Sequence, residues 1–212
     1  MDYTNENSNL LNSDLFKEIQ NGKNSEYIIE KYVLHNIPFY FKDNMDLYFD
    51  IKKKISEKYN VPITNIYLVG SGQFGFSLNP DKNYSNFRKE DGDEKNIKAS
   101  DLDFAIISTK LFDEIWDNVC DFRVNNIACS YKEKQEFSMF RKYLFKGWIR
   151  PDAFPFQFSK KKEWFEFFNS LNNLVNRQVS CGIFRNESSF IKIYQHGIDE
   201  LILRTKEINN EN

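Results

Sequence analysis

Asp101 and Asp103 are spaced i, i+2 at the entry to an apolar run, Ser100-Asp101-Leu102-Asp103-Phe104-Ala105-Ile106-Ile107. On a strand, residues two apart share a face, so the two carboxylates project together while Leu102 faces the core. Like charges so placed repel, and one carboxylate is expected to keep its proton unless a cation lies between them. A divalent metal resolves the conflict, and oxygen ligands of this kind suit magnesium. Upstream, the apolar stretch Ile66-Tyr67-Leu68-Val69 breaks into Gly70-Ser71-Gly72. Gly70 and Gly72 permit a tight or left-handed backbone and leave no side chain to block a ligand. A helical turn beginning at Ser71 would point free N–H groups at an anion. The Ser71 hydroxyl adds another donor to a phosphate oxygen. A phosphate cradle beside a carboxylate pair is equipment for phosphoryl or nucleotidyl transfer. The plainer alternative is an ordinary turn followed by a polar strand entry.

The flanking segments supply the scaffold. Ser25 can cap a helix with Ile28, Ile29, Tyr32 and Val33 on its apolar face, ending before Pro38. Phe39-Tyr40-Phe41 reads as a buried connector. A second helix runs from about Asn44 to Tyr59, with Tyr48, Ile51, Ile55 and Tyr59 inward and Lys52, Lys53, Lys54 and Lys58 outward. Beyond the second strand, helices are predicted from Leu111 to Val119 and over 131–146. A further helix follows from Lys161 to about Asn173, then a strand from Val179 to Phe184. A last helix from Glu187 to about Lys206 is capped by Asn186 or Ser188. Trp164, Phe165, Phe167 and Phe168 are dense enough that some are expected to line a cleft or a partner surface.

Residues 79–99 form a polar insertion with almost no apolar content. It is expected to be a mobile surface loop, or else a lid whose Lys82, Arg88 or Lys89 folds onto a triphosphate. From Tyr131 to Lys162 cations outnumber acids and aromatics interleave with them, as in single-strand nucleic-acid sites. The alternative is a core with a solvated basic rim.

Gly70-Ser71 followed by Ser100-Asp101-Leu102-Asp103 resembles the catalytic signature of the DNA polymerase β-like nucleotidyltransferase superfamily. The likeness covers roughly Ile66 to Asp152. It implies a small mixed β-sheet with helices on one face; with the helices predicted on either side, the expected chain is α/β (α+β), a small mixed β-sheet core with helical additions at both ends. It also implies a nucleoside triphosphate donor, ATP foremost, and two magnesium ions, with manganese as the alternative. Asp101, Asp103 and a third carboxylate on a later strand would bind the metals. Asp152 is the acidic residue available, in Arg150-Pro151-Asp152-Ala153-Phe154-Pro155, whose prolines restrict it to an edge strand or irregular extension. An aspartate in a proline-bounded turn is the other reading. Gly70, Ser71, Gly72, Lys82 and Arg88 would contact the nucleotide. The insertion departs from the family, in which the two motif halves are closely joined.

The 212 residues suffice for one domain, here expected over 25–212, with 1–24 disordered or loosely packed. A formal net charge of −2 gives no global pull toward nucleic acid. No apolar run approaches the roughly 20 residues of a membrane span, and the polar start reads as neither signal nor transit peptide. Cys120, Cys129 and Cys181 lack metal-ligand spacing, which points to reduced thiols and a cytoplasmic protein. His35 and His196 have no ligand partner at suitable spacing. The leading function is nucleotidyl transfer to a hydroxyl of RNA, protein or a small molecule. A degenerate fold that binds nucleotide, RNA or a protein, in a toxin–antitoxin or phage-defence pair among other settings, is the rival.

Overall fold

A computed structural model describes residues 8–89, 98–125, 130–155 and 158–211. The chain is mixed α+β. In order, the elements are α1 (Ser8–Leu11), α2 (Asp14–Gln20), α3 (Ser25–Ile29), α4 (Met45–Tyr59), β1 (Ile66–Val69) and α5 (Gly70–Phe74). These are followed by β2 (Leu102–Ile107), α6 (Thr109–Asn125), α7 (Tyr131–Phe145), β3 (Trp148–Ile149), α8 (Ser159–Val175), β4 (Val179–Phe184) and α9 (Glu187–Glu211). The four strands form a mixed sheet of order β1-β2-β4-β3. At its edge β3 runs antiparallel to β4, with Trp148 opposite Phe184 and Ile149 opposite Ile183. A two-residue edge strand is what the neighbouring Pro151 allows, because proline cannot donate to a ladder.

Contacts group the chain into two compact units. The first comprises Met1–Tyr48, Tyr67–Asp103 and Ile191–Asn212; the second comprises Phe49–Ile66 and Phe104–Phe190.

In the first unit the N-terminal segment departs from expectation. Residues 8–20, expected to be loose, form α1 and α2, and Leu10, Leu15 and Ile19 are buried. Ser13 caps α2 by accepting from the Phe16 N–H at 3.1 Å. Asn24, rather than Ser25, caps α3 through the Tyr27 N–H; α3 then widens into a π-helical turn, Glu30–Leu34. The insertion also differs. Its first part is tied down by a bridge between Phe76 and Asn86, and the Ser77 N–H donates to Ser85 O at 2.8 Å. Asn83 and Tyr84 both take left-handed backbone, φ 46 and 52, turning the segment so that Tyr84 and Phe87 are buried. Two apolar residues among polar ones are enough to anchor it. Positions 90–97 of the insertion lie outside the described residues, as does Cys129.

In the second unit α6 and α8 extend beyond their expected bounds, whereas α7 stops one residue short. The core is aromatic: Phe140, Phe154, Phe168, Phe184 and Phe190 are each 2% exposed or less. Asn186 caps α9 by accepting from the Ser189 N–H at 2.9 Å. Cys120 is exposed and Cys181 buried. No helix among the described residues is long and apolar enough to cross a membrane.

Candidate active site

The first unit carries the glycine-serine turn and both motif aspartates. The apolar residues of β1, with Ile66 and Leu68 fully buried, deliver the chain to Gly70, which takes φ +63. That left-handed value is costly for any residue with a β-carbon. Helix α5 starts here, one residue before the predicted start, and no side chain caps it.

The turn is held from several directions. The Tyr40 N–H donates to Gly72 O at 2.9 Å, and the Phe39 N–H to Gln73 O at 3.0 Å. The buried Gln73 side chain donates back to Tyr32 O. At the exit, Asn9 Nδ2 and the Phe87 N–H both donate to Gly75 O, each at 2.8 Å. The aromatic connector thus binds the motif's turn through its backbone, a role not visible in its composition.

Strand β2 presents the expected alternation at its entry. Asp101 and Asp103 are exposed, and Leu102 between them is fully buried. Asp103 meets the turn: a β-carbon on Gly70 would stand 3.4 Å from Asp103 Oδ2. Gly72 has a different reason to be glycine. A β-carbon there would lie 3.0 Å from Leu102 Cδ2 and 3.1 Å from Leu68 Cδ2. Its small size serves the packing of α5 onto the strands. Ser71 is half-buried, and Lys82 and Arg88 are exposed in the same unit. Arg88 is positioned by a reciprocal clamp: its N–H donates to Ser100 Oγ at 3.1 Å, and the Ser100 N–H donates to Arg88 O at 3.0 Å.

Asp152 belongs to the second unit. It sits in a 3-10 turn, Pro151–Ala153, and accepts a two-pronged bond from Arg150: Nε to Oδ1 at 3.1 Å and Nη2 to Oδ2 at 2.7 Å. Burial works against the Arg150 charge, but the Asp152 carboxylate outweighs it and holds the guanidinium above its usual range. Arg150 also lies 4.8 Å from the Tyr143 ring and 5.3 Å from that of Trp148. The Asp152 carbonyl accepts from Lys161 at 3.3 Å.

Among the described residues no three His, Cys, Asp or Glu side chains stand together as a metal site. Magnesium does not require three. It is commonly held by one or two carboxylates, with water and substrate phosphates completing its octahedron. Two exposed carboxylates at the entry of β2, with Gly70 beside Asp103, fit that chemistry.

The second unit has a cleft of about 250 Å³ lined by Tyr59, Ile115, Phe154 and Trp164. Lys58–Glu163 at 2.6 Å and Lys160–Glu114 at 3.6 Å pair among its lining residues. Of the dense aromatics in α8, Trp164 and Phe168 are both buried, and Trp164 also lines this cleft. Comparison with known proteins finds no matching family model, no matching curated protein and no matching solved structure.

Proposed function

We propose that this protein transfers a nucleoside monophosphate from a nucleoside triphosphate, ATP foremost, to an acceptor hydroxyl: the acceptor oxygen bonds to the α-phosphorus and the α–β phosphoanhydride bond breaks, releasing pyrophosphate. The reading rests above all on the approach of Asp103 Oδ2 to Gly70, which joins the two halves of the motif. Asp101 and Asp103 hold magnesium, or manganese in its place. The metal, when bound, neutralises phosphate charge and polarises the phosphoryl group under attack. Gly70 leaves room for a phosphate oxygen beside Asp103, and the Ser71 hydroxyl donates to the same phosphate chain. Lys82 and Arg88 offer further positive charge to the donor. A third carboxylate would draw the proton from the acceptor hydroxyl, and Asp152 is the candidate that the resemblance supplies.

A second reading has its own observation. Arg150 occupies both oxygens of Asp152, which favours a nucleotide-binding module without turnover. Incubation with an α-labelled triphosphate, magnesium and a mixture of RNA, protein and small-molecule hydroxyls separates the two. Label passing to an acceptor, and lost in Asp103→Ala, supports transfer. Nucleotide binding by a folded protein with no label transferred supports the binding module.

A further inference from the structure

Helix α7 shows solvent a stripe with no acidic residue in it. Positions i, i+3, i+4, i+7, i+10, i+11 and i+14 from Tyr131 fall on one side of a helix. The cations on it are Lys134, Arg141 and Lys142, and all three are exposed. Tyr131 opens the stripe at 76% exposure and Phe145 closes it at 94%. Between the rings the stripe is polar, with Gln135 and Ser138 also exposed. Phe140, at another register position, is buried and fixes this helix in its unit.

We infer that this face of α7 binds single-stranded RNA. Three cations with no carboxylate at the same register call for a polyanion, and the chain's net charge of −2 makes that attraction local to the face. A helix that lies in a bilayer needs a continuous apolar side, and one that docks in a protein groove needs apolar anchors at i, i+3, i+4 and i+7. This stripe has neither. It has two flat rings about 21 Å apart along the axis, with charge between them. Rings of this kind stack on bases, and the cations follow the phosphates. Gln135 and Ser138 can exchange hydrogen bonds with a ribose 2′-hydroxyl, the group that distinguishes RNA from DNA. The inference goes beyond the transfer reading and stands or falls without it.

Fluorescence anisotropy of the full chain tests it. The probes are a labelled single-stranded RNA of about 12 nucleotides, DNA of the same sequence, and phosphatidylcholine–phosphatidylserine vesicles followed by co-sedimentation. RNA binding should weaken with salt, log K falling with a slope of about −2 for three phosphate contacts. Lys134→Glu/Arg141→Glu/Lys142→Glu should weaken it by roughly tenfold or more and flatten the slope. Tyr131→Ser/Phe145→Ser should weaken it by roughly tenfold with the slope retained. All these residues are exposed, and unfolding midpoints check that the variants stay folded. The inference is overturned by absent RNA binding at low salt, by binding that neither variant changes, by DNA bound equally well, or by vesicles bound in preference to RNA.

Discussion

Gly70 and Asp103 lie close enough that a β-carbon on the glycine would stand 3.4 Å from the aspartate Oδ2. That spacing is ordinary van der Waals contact, so the demand for glycine comes from the backbone, at φ +63. Gly70→Ala should therefore cost about 1–2 kcal/mol of stability, the price of a left-handed L-residue. Gly72→Ala should cost about 1 kcal/mol for a different reason, as Leu102 and Leu68 shift to admit a methyl group. Urea unfolding measures both. Triphosphate binding should suffer more in Gly70→Ala, because only that methyl group stands beside the carboxylate.

The reciprocal bonds between Arg88 and Ser100 close the neck of the insertion. Loss of the Ser100 hydroxyl removes one of them and loosens the peptide at Arg88. Ser100→Ala should be cut there by trypsin several-fold faster than wild type, with global stability lowered by no more than about 1 kcal/mol. Timed digestion with mass-spectrometric assignment of the cut site checks this. Equal rates would show that other contacts hold the neck.

These two sites show what sequence could and could not convey. The carboxylate pair and its strand were legible because alternation around Leu102 is a local signal. So was α4, whose Ile51 and Ile55 recur at helical spacing and are fully buried. The folded start of the insertion was not legible. Tyr84 and Phe87 are sparse in a polar stretch, and only the left-handed turn at Asn83 and Tyr84 brings them inward. The N-terminal helices carry little signal, because Leu10, Leu15 and Ile19 are too few for a clear period in so short a segment. The pairing of Asp152 with Arg150 depends on a proline-bounded turn, whose side-chain directions periodicity does not fix.

Tyr48 gives a pH dependence. Its buried hydroxyl accepts from the Leu68 N–H at 3.2 Å, and burial pushes the phenol up to about 12 despite that bond. The unfolded chain ionises near 10. The neutral phenol's contribution is thus complete below about pH 10 and lost as pH rises toward 12, at most about 3 kcal/mol. Urea midpoints of wild type should fall more steeply across that window than those of Tyr48→Phe. Parallel curves would remove Tyr48 as the cause.

The Arg150–Asp152 pair is largely open to solvent, at 34% and 53% exposure, so screening keeps its contribution small. Asp152→Asn should change stability by less than about 1 kcal/mol and leave triphosphate affinity unchanged. If the residue acts on the acceptor, turnover falls. Unchanged transfer in this variant would leave Asp152 with the structural pairing alone.

Titration calorimetry of ATP with magnesium into wild type and Asp103→Asn tests the proposed site most directly. Removing one carboxylate charge beside Gly70 should weaken binding roughly tenfold or more, and chelation of magnesium should abolish the difference between the proteins. Equal affinity of the two proteins in magnesium, or no binding by wild type, would contradict the assignment of Asp103 and Gly70 to a metal–triphosphate site.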